Sequence, residues 1–352
     1  MNMAIQSDNS FSRKDLLGMT RNDFEGFFDE IGERPFRAKQ ILKWIYQFRL
    51  RDFEPMTDMP IPLRSMLAER CSIGRLSIVD SARSSDGATK FVFALDDGER
   101  IEAVHIPSAE RHTACLSTQV GCSLNCRFCA TGSMGFTRNL DAGEIVGQFL
   151  GIEEALGVKL TNVVFMGMGE PLMNLDAVAA ATDIFSDSFA LALGHRRITL
   201  STVGIPKEID RLLETHLKPK LAISLNAPDD ALRAEIMPGA ARIATIDEIL
   251  EAASRYATET ARWFTVEYVL LSRVNDSLDH ADRLAELLSD MPCKVNLIRY
   301  NAVEGSGFRA SKGKDVTYFQ GYLSAAGITV TLRQSKGQSV AAACGQLVLK
   351  GK

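Results

Sequence analysis

Three cysteines carry the first recognisable chemistry. Cys122-Ser-Leu-Asn-Cys126-Arg-Phe-Cys129 is a C-x3-C-x2-C run directly after a strand-like segment. Thiolates ligate metals, but a structural zinc site closes with four ligands. His112, the nearest histidine, lies ten residues before Cys122, and no second C-x2-C follows. An iron–sulfur cubane accepts thiolates at such short spacings. Three protein ligands for four irons leave one iron open to an exogenous group, which is a catalytic arrangement. Plain core packing fits three cysteines in an Asn-containing loop poorly. The chain has seven cysteines, an odd number that disfavours a disulfide framework.

A second group of candidates sits at strand ends. Thr161-Asn-Val-Val-Phe-Met-Gly-Met-Gly-Glu170-Pro is an apolar strand that runs into Gly-Met-Gly-Glu-Pro. Glycine there lets a ligand approach the backbone, and Glu170 can accept hydrogen bonds from an ammonium group. Leu200-Ser201-Thr202-Val203-Gly204 and Ile223-Ser224-Leu225-Asn226-Ala227-Pro228 each end a strand in a hydroxyl residue. In α/β folds ligand groups gather at strand C-termini.

The elements that must position these residues follow from periodicity. Thr20 and Asp23 form a capping-box-like start for a helix over 24–31 that Gly32 stops. Pro35 suits the first position of a second helix bearing Ala38, Ile41, Leu42, Ile45 and Phe48, and a third spans 61–71. Segments 90–95 and 100–106 flank Asp97-Gly98, a hairpin signal. Strands at 114–117, 162–166, 197–201, 220–224, 264–271, 294–298 and 329–332 then alternate with helices such as 142–156, 246–256 and 279–288. That βα repetition predicts a parallel sheet, doubly wound or a full or partial barrel. Residues 301–315 read as an exposed loop.

Composition is that of an ordinary folded domain: 46% hydrophobic, 24% charged, net charge −4 over 352 residues. Mild acidity argues against nucleic-acid binding by bulk charge, though not against a local basic patch. No apolar run reaches membrane-spanning length. The polar start, Met1 to Arg13, lacks the apolar core of a signal peptide, so a cytoplasmic protein without a membrane partner is expected.

The C-x3-C-x-Phe-C run, with Phe128 before the third cysteine, resembles the signature of radical S-adenosylmethionine (SAM) enzymes. Ala342-Ala343-Cys344-Gly345-Gln346-Leu347 resembles the C-terminal segment of the RlmN/Cfr adenosine methyltransferases. So do Gly32 to Gln40 with Trp44, Gln119 to Cys122, Phe136 to Leu140, Glu267-Tyr268-Val269, Val274 to Asp276 and Cys293 to Ile298. The likeness spans roughly residues 15 to 348. It implies an α/β fold: a partial (β/α)6-type radical SAM barrel (109–348), an N-terminal helical RNA-docking domain (1–75) and a β-hairpin segment between them (76–108). It also implies one [4Fe-4S] cluster on Cys122, Cys126 and Cys129. SAM would be bound by Gly169, Glu170, Ser201, Ser224, Leu225, Asn226 and Asn301.

The implied reaction methylates an adenine ring carbon, C2 favoured over C8, in 23S rRNA, with tRNA a further candidate. Cys344 would take a methyl group from one SAM, and a 5′-deoxyadenosyl radical from a second would abstract hydrogen from that S-methyl. Glu102 would accept the ring proton, and Cys115 would resolve the adduct through a transient disulfide with Cys344. Implied partners are the RNA and an electron donor such as flavodoxin or ferredoxin, with the chain a monomer. Cys71 and Cys293 match no catalytic element. Arg37, Lys39, Lys43, Arg49 and Arg51 are the expected docking cations. Departures from the family pattern bear on the RNA and on regiochemistry: Asn226 where His is usual, Arg299 before Tyr300-Asn301 where Pro is usual, and the stretch Gln334 to Gln338. The rival readings are another radical SAM reaction class, a paralogue with another RNA target, or an RNA-binding protein with a structural metal.

Overall fold

The strands at the centre of the chain show why the sheet curls. In Ile198-Thr-Leu-Ser-Thr, Ile198 and Leu200 are buried while Thr199 and Ser201 are half-buried. Strand side chains alternate between faces; here the apolar set packs against helices and the hydroxyl set faces an interior cavity. A computed structural model describes residues 13–348 and contains ten such strands in one sheet. They are β1 (Ser77–Arg83), β2 (Thr89–Ala94), β3 (Arg100–Ser108), β4 (Arg111–Cys115), β5 (Asn162–Phe165), β6 (Ile198–Thr202), β7 (Lys220–Ser224), β8 (Phe264–Leu270), β9 (Cys293–Arg299) and β10 (Val330–Arg333).

Spatial order is sequence order throughout. β1 to β4 pair antiparallel, and β4 to β10 run parallel. The expected barrel with a β-hairpin extension is therefore present, with one short parallel strand beyond the sixth. Residues of β3 and of β10 line one common cavity, so the sheet curls until its last strand faces its third. The segment after β10 crosses the remaining gap. Gly337 N donates to Asp86 Oδ2 at 2.8 Å, Ser339 Oγ meets Ser84 Oγ at 2.8 Å, and Lys336 Nζ reaches Pro107 O.

Helices cover the outside. Ala142–Leu156 and Ile246–Thr260 begin with capping boxes at Asp141/Glu144 and Thr245/Glu248, which satisfy amide donors the helix itself leaves free. Their inner faces and the outward strand residues form one apolar core that includes Phe149, Phe165, Phe185 and Ile249.

The N-terminal helices appear where periodicity put them, with shifted ends. Thr20 and Asp23 do form a capping box, opening the helix Arg21–Glu30. The next helix starts at Arg37, two residues after Pro35, and passes into a π turn over Lys43–Gln47. Ile61–Arg70 follows. β1 escaped sequence reading because its side chains are mostly exposed and show no alternation. The loop after β9 is not simply exposed: Asn301 and Ser311 are buried, and a helix starts at Gly313. Residues 1–12, most of the polar start, lie outside the described residues.

Candidate active site

The cysteine loop follows the short strand Gln119–Gly121, which pairs antiparallel with Phe136–Asn139. Its ends are tied by Cys122 N to Gly135 O at 2.7 Å and Cys129 N to Cys126 O at 3.0 Å. Two further bonds seat it on the barrel rim: Arg127 N to Ile236 O at 2.9 Å and Gly239 N to Leu124 O at 3.1 Å. The loop places Cys122, Cys126 and Cys129 in the wall of a cavity of about 170 Å³ at the C-terminal ends of the strands. All three thiols are free. Burial pushes Cys122 up to about 12 and raises Cys126 and Cys129.

The donor set fits an iron–sulfur cluster. Three thiols of matched chemistry converge on one cavity, where a cationic group that deprotonates them would relieve their mutual burial. Among the described residues no group of three His, Cys, Asp or Glu side chains is gathered as a lone metal ion would need.

Opposite the cysteines lie the residues at the strand ends. Gly169 has φ +98°, and a Cβ there would sit 2.5 Å from the Gln119 side chain, so glycine is required. This close approach lets Gln119 Oε1 accept from Glu170 N at 2.9 Å. The Glu170 carboxylate is buried and accepts from Leu172 N at 3.1 Å and Val203 N at 2.9 Å. Burial pushes its pKa up to about 7 even so. Ser201 and Ser224, on neighbouring strands, bring their hydroxyls to 3.4 Å. Asn226 adopts φ +61°, a conformation asparagine tolerates, and its Oδ1 accepts from Val269 N at 2.9 Å. Gly169, Glu170, Ser201, Ser224, Asn226 and Asn301 all line the cavity of the three cysteines. Leu225 does not: its side chain is buried in the core, and its amide donates to Glu267 O at 3.1 Å.

Cys344 joins the same cavity from the C-terminal tail. Ala130 N donates to Gly345 O at 2.7 Å and Thr131 Oγ1 to Leu347 O at 2.7 Å, lacing the tail to the turn after Cys129. Cys344 also lines a second cavity, of about 500 Å³, deeper in the sense that it lies toward the N-terminal ends of the strands, and there it shares the wall with Cys115. Both thiols are free, so no disulfide joins them in this structure. Burial, with Cys344 nearby, pushes the Cys115 thiol up to about 12.

Glu102 lines neither cavity. Its buried carboxylate pairs with Lys90 Nζ at 2.8 Å and accepts from Val348 N at 2.8 Å, which makes it a tail anchor in this conformation. Burial raises its pKa. Cys71 and Cys293 are buried in the apolar core, in keeping with the absence of a catalytic match.

Sequence reading missed Arg333. It lines both cavities, and its pKa is raised first by Cys344, then by Glu267 and Cys115. A guanidinium so placed works against the burial that pushes the Cys115 thiol up. The only sequence signal was its inward register two residues after Thr331 on β10.

The deeper cavity is cationic toward the N-terminal ends of the strands, where Arg111, Lys220, Lys294 and Lys336 line it. Burial and then Lys294, Arg262, Arg111 and Arg196 depress the Lys220 pKa, the signature of like charges held together. The helical unit differs. There Arg37 pairs with Glu33, Arg49 with Glu153 and Arg51 with Glu154, while Lys39 and Lys43 lie over the Phe189 ring.

Residues 14–73 match the family model of the ribosomal RNA large subunit methyltransferase N-terminal domain, and residues 116–287 match the radical SAM superfamily. The chain is 40% identical to a radical SAM methyltransferase from Sphaerobacter thermophilus, with a TM-score of 0.88. That alignment covers 95% of this chain and 99% of the other. The chain belongs to the RlmN/Cfr family of radical SAM methyltransferases. Looser likenesses are to Streptococcus suis SuiB bound to S-adenosylmethionine (14% identity, 65% and 52% of the two chains, TM-score 0.46) and to a domain of a pyruvate-formate lyase-activating enzyme from Bacteroides vulgatus (18%, 49% and 99%, TM-score 0.38). At those scores neither bears on the chemistry. This radical SAM methyltransferase is a SAM-dependent enzyme, and membership in its family implies a [4Fe-4S] cluster. None of its described helices is long and apolar enough to cross a membrane.

Proposed function

We propose that this enzyme methylates a ring carbon of an adenine in RNA, C2 rather than C8, in 23S rRNA, with tRNA a further candidate substrate. One observation carries the reading: Cys344 borders both the cavity of the cysteine triplet and the cavity of Cys115. A thiol between a SAM site and a second thiol suits a relay that first accepts a methyl group and later releases a methylated product.

In this reading Cys122, Cys126 and Cys129 hold the cluster, and Gly169, Glu170, Ser201, Ser224, Asn226 and Asn301 surround SAM. The backbone at Leu225 supports that strand end without lining the cavity. When bound, the cluster and SAM supply a primary carbon radical. The chain's own groups do the rest. Cys344, which shares a cavity wall with Arg333, attacks the methyl carbon as its thiolate and displaces it from the sulfonium sulfur. Once the S-methyl carbon has given up a hydrogen atom to that radical and bonded to the adenine ring carbon, the adduct loses one electron and Glu102 takes the proton from that ring carbon. Its carboxylate now faces Lys90 and the tail amide, so that role requires the tail to shift. Cys115 sulfur, as its thiolate, then bonds to Cys344 sulfur as the bond from Cys344 to the product carbon breaks. The electron pair of that bond stays with the carbon, which takes up a proton to become the methyl group, and the resulting disulfide is reduced by two electrons before the next turnover.

An adenine can reach these thiols only when displaced from its stack. The cations on the N-terminal rim of the barrel suit the phosphates on either side of such a base. We assign RNA docking jointly to that rim and to the helical unit (1–75), with 76–108 as the connecting hairpin and 109–348 as the catalytic barrel. Flavodoxin or ferredoxin as electron donor, a monomeric state and a cytoplasmic location complete the proposal.

Mass spectrometry tests it. Anaerobically reconstituted enzyme, incubated with SAM, reductant and 23S rRNA or tRNA, is expected to yield 2-methyladenosine in the RNA and an S-methyl group on Cys344. Methylated RNA from a Cys344→Ala variant would overturn the relay, and 8-methyladenosine would overturn the C2 assignment.

A further inference from the structure

Arg233 is completely buried and stands among the largest fully buried side chains of the described residues. It lies on the helix Asp230–Ile236, whose last carbonyl accepts the Arg127 amide of the cysteine loop. Guanidinium carries five N–H donors. Here Nη2 donates to Val203 O at 2.6 Å, while Nε and Nη1 are buried with no hydrogen-bond partner.

Among the described residues Arg233 forms no salt bridge. The groups whose charge it feels are Cys126, Asp230 and Glu170. Glu170 has already committed one oxygen to Leu172 N and the other to Val203 N. A buried cation without a counter-charge costs several kcal/mol, so a fold that retains one needs a state in which the missing charge is supplied. Cys126 stands first among the charges that favour the guanidinium, and it is one of the three thiols assigned to the cluster.

We propose that Arg233 is a positioning residue that serves as the buried counter-charge of the iron–sulfur cluster, and that it makes the cluster easier to reduce. The inference rests on the cluster assignment made above. Three thiolates make the bound cluster anionic, and one electron taken from a one-electron donor makes it more so. A fixed cation held at Val203, in the wall of the cysteine cavity, therefore stabilises the reduced form more than the oxidised one. Net charge and hydrogen bonding around the sulfurs are among the factors that set such potentials. Nε and Nη1 of Arg233 have no hydrogen-bond partner, and Val203, which accepts from Nη2, lines the cavity of the three cysteines.

The test is an anaerobic redox titration of the reconstituted full-length chain without SAM, with dithionite as reductant and the reduced cluster read by electron paramagnetic resonance. Wild type, Arg233→Lys and Arg233→Met are compared at equal iron content. Arg233→Met is expected to lower the ratio of reduced to oxidised cluster about tenfold at the wild-type midpoint, a shift of about 59 mV for one electron. Arg233→Lys, which keeps the charge, is expected to stay within about threefold. A fully loaded Arg233→Met with an unchanged midpoint would overturn the inference.

Thermal unfolding of the cluster-free proteins covers the case in which Arg233→Met does not load. Removing an uncompensated buried cation is expected to leave the apo protein as stable as wild type or more so; an apo variant that melts lower would show that Arg233 merely braces the fold and would also overturn the inference. A wild-type chain that takes up no iron would instead sink the cluster assignment itself.

Discussion

The side-chain amide of Asn301 donates to the backbone carbonyl of Cys344 at 3.1 Å, and Gln338 Nε2 in turn donates to Asn301 Oδ1 at 2.7 Å. A residue expected at SAM thus holds the tail cysteine as well. Gln338 belongs to a stretch that departs from the family pattern, and the chain Gln338–Asn301–Cys344 gives that departure a structural use. Small misplacements of reacting groups are costly. Asn301→Ala is therefore expected to slow methyl transfer to Cys344 by about 10- to 100-fold while leaving iron content intact. Gln338→Ala is expected to have a smaller effect in the same direction, read by single-turnover mass spectrometry.

Glu170 predicts a pH dependence. Its carboxyl titrates at about 7 in the folded chain against an ordinary value of 4.5. Between those values the folded protein keeps a proton that the unfolded chain has lost, so this group's contribution to stability falls as pH rises through that window. The ammonium of SAM needs the ionised form. SAM affinity is expected to rise up to about tenfold per pH unit below pH 7 and to level off above it. Calorimetry in buffers of different ionisation enthalpy would show proton release below pH 7, and Glu170→Gln should abolish it.

Glu102 is expected to act on the tail as well as on substrate. Removing one partner of a buried ion pair is destabilising; because Lys90 keeps some exposure to solvent, Glu102→Ala is expected to cost about 2 kcal/mol, below the range for fully buried pairs. Chemical denaturation measures that cost. Glu102→Gln preserves an acceptor for Val348 N and should recover most of the stability, yet it should still lower RNA product formation. Full activity in Glu102→Gln would remove the residue from proton transfer.

The cysteines should separate into two classes. Cys126→Ala is expected to abolish iron uptake and visible cluster absorbance. Cys71→Ala and Cys293→Ala each remove a small buried group and should cost about 1 kcal/mol while iron content stays normal. Iron assay and melting curves on the same preparations distinguish the two.

The barrel rim and the helical unit should respond differently to charge change. Lys220→Glu with Lys294→Glu is expected to weaken RNA binding and to flatten its salt dependence by about one unit for each phosphate no longer neutralised. Arg49→Ala and Arg51→Ala, whose partners are Glu153 and Glu154, should change the salt slope little. Binding measured across a salt series decides between them, and equal slopes for all variants would move RNA off the rim.

Much of this was legible in the sequence because it is local. The cysteine spacing, the Gly-x-Gly-Glu turn, the capping pairs and the βα alternation are set by residues within a few positions of one another, where periodicity and side-chain chemistry suffice. The strand ends at Ser201 and Ser224 were readable for the same reason. β1 was not, since an exposed strand carries no apolar alternation. Tertiary structure decided what lies far apart in the chain. Curling of the sheet brings Arg333 of the last strand beside Cys115 of the fourth, and the tail crossing carries Cys344 to the cysteine loop. Packing also paired Arg49 and Arg51 of the helical unit with barrel carboxylates and left Arg233 buried without one. Charge pairing and burial depend on which surfaces meet, and no local run of residues specifies that.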